Sequence, residues 1–173
     1  MNPYQWRPMK AADLPQVMDI AAQVHVGYYE APEVFAERLS LFPQGCRIAW
    51  LRDLSGAAVV LGYAFMHPTR RGHPPALNQL LHVIDEQADC LHLHDVALLP
   101  QARGSGLGLA LIQEIYHLGR ATALPCATLV AVHESGGYWH NAGFEDDLEV
   151  PPQGLDALAG YGDGARYMSK LIR

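Results

Sequence analysis

The eleven residues Leu98-Leu99-Pro100-Gln101-Ala102-Arg103-Gly104-Ser105-Gly106-Leu107-Gly108 constrain this chain more than any other stretch. They follow an apolar run (Leu91, Leu93, Val96, Ala97) that reads as a buried strand stopped by Pro100. Beyond the glycines, Leu107, Leu111, Ile112, Ile115 and Leu118 recur at helical spacing. A strand that runs through a glycine-rich turn into a helix N-terminus makes an anion site. Its free N–H groups converge, the helix dipole favours negative charge, and glycine lets a phosphate approach the backbone. Arg103 adds a planar cationic fork suited to phosphate.

Two familiar phosphate motifs fail on spacing. A P-loop needs Lys-Ser or Lys-Thr after its last glycine, and Gly108 is followed by Leu109 and Ala110. A dinucleotide fingerprint needs G-x-G-x-x-G near the start of a βαβ unit, whereas Gly104, Gly106 and Gly108 fall G-x-G-x-G in mid-chain. The segment resembles the acyl-CoA-binding motif of the GCN5-related N-acetyltransferase (GNAT) superfamily: Arg or Gln, two residues, Gly, one residue, Gly or Ala, met here by Arg103, Gly106 and Gly108. The preceding Asp95-Val96-Ala97-Leu98-Leu99-Pro100 is similar to that superfamily's fourth strand.

At 173 residues the chain suits one domain, 1–173, with a full core. No apolar run approaches the roughly 18 residues of a membrane span. The opening Met1-Asn2-Pro3-Tyr4-Gln5-Trp6-Arg7 lacks the charged-then-apolar order of a signal peptide. Cys46, Cys90 and Cys126 are an odd number in apolar surroundings, as expected of reduced core thiols in a cytoplasmic protein. A formal charge of −6 argues against nucleic acid as the main ligand. The composition thus points to a small-molecule partner, with no nucleic acid and no membrane, and leaves a homodimer open.

Along the chain, strands are expected at 4–8, 46–52, 57–67, 91–99, 125–132, 144–150 and 165–172. Helices are expected at 12–24, 32–42, 105–119 and 135–141, with Asp13 capping the first. The connection from Pro68 to Asp89 is expected to hold a short helix around Ala76 to Val83. This order, β-α-α-β-β-β-α-β-α-β-β, is similar to the GNAT order over essentially the whole chain. The resemblance implies an α/β fold of the α+β kind: a mixed sheet of about seven strands flanked by about four helices. Arg7-Pro8-Met9-Lys10-Ala11-Ala12-Asp13-Leu14-Pro15 resembles the superfamily's common opening, and Trp139-His140-Asn141-Ala142-Gly143-Phe144 its late helix.

The resemblance implies transfer of an acetyl or larger acyl group from acetyl-CoA to an unknown amine acceptor by direct attack, without a metal. A non-catalytic acyl-CoA-sensing module is the alternative. Direct attack needs a base for the amine proton, and an acid for the departing thiolate helps. Where the superfamily often carries a glutamate on the fourth strand, this chain has His94, whose ordinary pKa of about 6.5 suits a base. Asp95 is expected on the opposite strand face, free to orient a group or bind a cationic acceptor. The usual tyrosine acid is replaced by Trp139, and the adjacent Tyr138 is expected to swing its hydroxyl about 100° away; either the thiolate leaves unassisted, or Ser135, Tyr138 or His133 substitutes. Leu98 and Leu99 are expected to offer backbone groups to the pantetheine arm. Gly104, Ser105, Gly106, Leu107 and Gly108 are expected to hold the pyrophosphate together with Arg103. The acceptor pocket is expected from His25, Tyr28, Tyr29 and Glu30, the 68–89 connection and Tyr161.

Overall fold

A computed structural model of the chain describes residues 2–172; Met1 and Arg173, the ends of the expected domain, lie outside the described residues. Seven strands form one sheet in the order β1-β2-β3-β4-β5-β7-β6. They are β1 (Gln5–Pro8), β2 (Cys46–Arg52), β3 (Ala58–Thr69), β4 (Cys90–Leu98), β5 (Cys126–Ala131), β6 (Glu145–Asp146) and β7 (Arg166–Leu171). Only the central β4–β5 pair is parallel; the other pairings are antiparallel. Helices α1 (Leu14–Val24) and α2 (Pro32–Leu41) cover one face, packing Val17, Ile20 and Phe35 on Ile48, Tyr63 and Phe65. Helices α3 (Leu107–Ala121) and α4 (Gly136–Asn141) cover the other, packing Leu111, Ile112, Ile115 and Trp139 on Met66, Leu91, Leu93 and Leu129. The alternation along β4 from Cys90 to Leu93 is the expected two-residue strand period, which a bulge interrupts at His94. No helix among the described residues is long and apolar enough to cross a membrane.

Four expectations need correction. A fifth helix, α5 (Pro152–Ala159), lies between β6 and β7. Its start was readable in Pro151-Pro152, since proline suits the first helical position, and Leu155 and Leu158 share a face. The strand expected at 144–150 shrinks to Glu145–Asp146. Phe144 turns into the core, Asp147 is buried against Arg71, and Leu148 stands in solvent, so the chain leaves the sheet edge.

The third correction is the 76–83 helix, which does not form. Asn78 and His82 are left-handed, at φ 58° and 64°, a conformation no α-helix accommodates. Glu30 and Glu37 supply the acceptors that helix bonds would have supplied: Glu30 takes the Asn78 N–H (3.0 Å), and Glu37 takes those of Leu81 (2.6 Å) and His82 (2.8 Å). The fourth is Asp13, which precedes α1 but makes no side-chain cap bond to it. Its carboxylate accepts from Arg7 at 2.7 and 2.8 Å and from the Lys10 N–H, closing a 3-10 turn instead.

Candidate active site

The parallel strands β4 and β5 pair only from Cys90 to Leu93 and from Cys126 to Leu129. Beyond that, β4 stays on β3 as far as Leu98 and β5 stays on β7 as far as Ala131, so the two strands part. The wedge holds a cavity of about 180 Å³ lined by His94, Val96, His133, Ser135 and Tyr138. A second cavity of about 190 Å³ continues to Leu98, Arg103 and Gly108 at the mouth. Backbone groups on the inner edges of the wedge have no strand partner, and an extended amide-rich ligand is their natural complement. The Leu99 N–H points the other way, to Leu61 O at 2.8 Å, so alternation turns the groups of Val96 and Leu98 into the wedge. Val96 O already accepts from His25 Nε2 at 2.9 Å.

At the mouth, Gly104 and Gly106 are left-handed, at φ 75° and 90°, and Gly106 is the residue from which α3 starts. Side chains are strained there, so both glycines are conformational requirements. Ser105 Oγ donates to Ala102 O (2.6 Å), and the Asn2 amide donates to Ser105 O (2.9 Å), which fix the turn. Of the six N–H groups expected to face an anion, that of Arg103 is taken by Pro100 O and that of Leu107 faces Ser105 Oγ at 3.4 Å. The N–H groups of Gly104, Ser105, Gly106 and Gly108 have no acceptor among the described residues, and the α3 dipole adds to them. That donor set, with Arg103 beside it, fits a pyrophosphate.

Gly108 has a different reason to be glycine. A Cβ there would overlap the Tyr138 hydroxyl. Tyr138 therefore reaches the start of α3 and lines both cavities, contrary to the expectation that its hydroxyl points away. The cause is Trp139, which takes the inward position of α4 and packs edge-on against Phe144 at 5.8 Å. With Trp139 in the core, the preceding residue faces the wedge. Partial burial raises the Tyr138 pKa.

On β4 a bulge decides the chemistry. Phe65 pairs with Asp95 and Met66 with Leu93, so His94 has no partner on β3. Leu93 and Val96 face α3 and α4, while both His94 and Asp95 turn towards α1 and α2. Asp95 was expected on the face opposite His94; the extra residue cancels the alternation and puts the two side by side. His94 Nε2 lies 2.8 Å from Glu30 Oε1, and both side chains are almost fully buried. His94 Nδ1 is buried with no partner among the described residues. Burial would push the Glu30 pKa up, but the charge and hydrogen bond of His94 and the Asn78 N–H bring it below the ordinary value. Asp95 accepts from Tyr63 Oη at 2.8 Å and lies 2.9 Å from His25 Nε2, so both its oxygens are engaged by the protein.

The expected acceptor residues divide. His25, Tyr28, Glu30, Leu77, Asp95 and Tyr161 line a small cavity of about 40 Å³ beside His94. Tyr28 sets its ring edge on His133 at 4.7 Å, whereas Tyr29 points to solvent and is 70% exposed. The Tyr161 hydroxyl is committed to Pro75 O. Sequence reading did not find Glu30 as the partner of His94, or Tyr63 as the support of Asp95. Each pairing spans more than 30 residues and depends on the bulge. Among the described residues no group of three or more His, Cys, Asp or Glu side chains is arranged to hold a metal ion. His92, between Cys90 and His94, instead bonds Thr128 Oγ1 at 2.9 Å.

Comparison with known proteins agrees with this architecture. The family model described as "Acetyltransferase (GNAT) family" matches residues 14–144. Among solved structures, Ard1 from Thermoplasma volcanium superposes with a TM-score of 0.71 at 16% identity, covering 99% of each chain. N-acetylglutamate synthase from Neisseria gonorrhoeae, complexed with coenzyme A and N-acetyl-glutamate, superposes with a TM-score of 0.70 at 16% identity, over 98% of this chain and 35% of that one. The ribosomal-protein-S18-alanine N-acetyltransferase from Escherichia coli gives 0.61 at 15% identity, over 98% of this chain and 94% of its own. No curated protein matches in sequence. At such identities the superpositions speak for the fold alone, and the family match, which spans well over half of the chain, carries the assignment: this protein belongs to the GNAT family of acetyltransferases.

Proposed function

We propose that the protein is an acyl-CoA-dependent N-acyltransferase that moves an acetyl group from acetyl-CoA to the amine of a small molecule or peptide. The observation that carries this reading is the continuity of the β4–β5 wedge with the four free N–H groups and Arg103 at its mouth. A pyrophosphate on Gly104 to Gly108 would lead its pantetheine arm along Leu98 and Val96, and the thioester would reach the cavity between His94 and His133. The amine would enter from the Tyr28 and Asp95 side.

His94 is proposed to accept the amine proton, directly or through one water. Glu30 holds its Nε2 and favours the proton there, which leaves Nδ1 as the lone-pair nitrogen. Attack on the thioester carbonyl, loss of the amine proton and departure of the thiolate complete the transfer, and no acyl-enzyme is needed. We place this activity in the cytoplasm, where buried free thiols such as Cys46, Cys90 and Cys126 stay reduced.

Thiol release from acetyl-CoA across a panel of amines and N-terminal peptides, beside a CoA titration, tests the reading. Amine-dependent release supports it. Tight CoA binding without release from any amine would favour the sensing alternative, and absence of both would contradict the CoA site itself.

A further inference from the structure

With Trp139 in the core, the position where GNAT resemblance implies a tyrosine acid holds none, and beside the Tyr138 phenol another set of groups meets at the wedge. His25, at the C-terminal end of α1, lies with Nε2 2.9 Å from Asp95 Oδ1 and Nδ1 3.4 Å from His133 Nε2. The two imidazoles are nearly parallel (9°) with centroids 5.5 Å apart. Two rings in one plane, joined edge to edge by an N···N contact of 3.4 Å, would have centroids a little under 6 Å apart, so this is an in-line N–H···N bond rather than a face stack. The chain of contacts runs Tyr63 Oη, Asp95, His25, His133, from the sheet to the cavity where the thioester would end.

We infer that His133 is the proton donor to the departing thiolate, reloaded by a His25 imidazolium that Asp95 holds in place. The inference rests on the proposed acyl transfer. His25 Nε2–H donates to Asp95 and Val96 O, and its Nδ1–H donates to His133 Nε2. That bond fixes the His133 proton on Nδ1, on a ring that lines the wedge cavity. As the C–S bond breaks, the His133 Nδ1 proton passes to sulfur and the His25 Nδ1 proton passes to His133 Nε2. His25 is left neutral, still bonded to Asp95, and CoA leaves as the thiol. His25 then recovers its proton from solvent, and no other reactant is needed.

Electrostatics are consistent with that direction. Burial lowers the His25 pKa, but the hydrogen bond and charge of Asp95, with Val96 O and Glu30, raise it above 6.5 overall. Partial burial and the neighbouring His25 charge lower that of His133, which keeps it neutral. The groups that face the pair are Asp95 from β4, Glu30 from the α1–α2 connection, and Tyr28. His133 and Glu134 are both left-handed, at φ 52° and 56°; two such non-glycine residues in succession are costly, and a loop held this way at the wedge is a mark of function.

The test uses the intact protein, acetyl-CoA and the amine that wild type acetylates fastest. In wild type, kcat should fall as pH rises through the raised His25 pKa, because the donor must be loaded. His133→Gln should lower kcat roughly a hundredfold, leave the KM for acetyl-CoA within about threefold, and abolish the high-pH limb. Asp95→Asn should move that limb to lower pH. Imidazole 15N NMR gives a readout independent of turnover: His25 doubly protonated at pH 7, His133 protonated on Nδ1 only. Wild-type kcat and an unchanged high-pH limb in folded His133→Gln would overturn the inference, as would a neutral His25 at pH 7. If wild type itself acetylates no amine, the proposed function fails instead, and the NMR result still decides the protonation of the pair.

Discussion

The Tyr138 hydroxyl occupies the space that a β-carbon on Gly108 would need. This one relationship ties the late helix to the anion-binding turn, and it turns a glycine expected to serve phosphate into one that also serves a side chain. Gly108→Ala should push the Tyr138 ring out of the wedge and raise the KM for acetyl-CoA about threefold to tenfold. Tyr138→Phe alone should have a small effect, and in its background Gly108→Ala should cost less, because without the hydroxyl the nearest ring carbon lies 3.3 Å away, a tight contact rather than an overlap. A double-mutant cycle should therefore give a coupling of about 0.5 kcal/mol or more. Additive effects would mean that the two residues do not meet.

His94→Ala should cut turnover by roughly a hundredfold with CoA affinity near normal. Glu30→Gln should follow in the same direction by about tenfold, since it keeps the shape but removes the charge that holds His94 Nε2. Full turnover in folded His94→Ala would move the base to another group.

Much of this was legible before the structure. The strand–glycine–helix pattern at 98–108 located the mouth of the wedge, and the periodicities of 12–24 and 105–119 located two of its covering helices, which form at Leu14–Val24 and Leu107–Ala121. What the pattern could not carry was decided by single residues acting at long range. One unpaired residue, His94, reverses the face of Asp95, and nothing in Leu93-His94-Asp95-Val96 marks it. The 76–83 segment has apolar residues at helical intervals, but the carboxylates of Glu30 and Glu37, about 45 residues away, satisfy its N–H groups in another conformation. Trp139 and Tyr138 exchanged their expected roles because indole area is worth more in the core than a phenol is.

Glu37 should accordingly hold the 76–83 segment in place. Glu37→Ala removes the acceptor of two N–H groups and should destabilise the fold by about 1–2 kcal/mol. Hydrogen exchange at Leu81 and His82 should speed up more than at the core amides of β4. Unchanged exchange at these two positions would contradict the tether.

Stability should fall on mild acidification. Burial lowers the His67 pKa to about 3 and that of His92 well below the ordinary value. Both stay neutral in the fold while the unfolded chain takes up protons below about pH 6.5. The unfolded state thus binds more protons in the window from 6.5 down to about 3, and stability drops as pH falls through it. Each group contributes up to about 1.4 kcal/mol per pH unit well inside the window. Urea midpoints at pH 7.5, 6.5 and 5.5 should decline most over the last step, and a flat profile would contradict neutral burial.

Calorimetric titration of acetyl-CoA into wild type and Gly106→Val tests the central claim, that the wedge and the Arg103–Gly108 turn hold an acyl-CoA. Gly106 is left-handed at the start of α3, and valine there would displace the free N–H groups. Wild type should bind one acetyl-CoA per chain, and folded Gly106→Val should bind at least tenfold more weakly, about 1.4 kcal/mol. No binding by wild type, or equal affinity in the folded variant, would contradict the account.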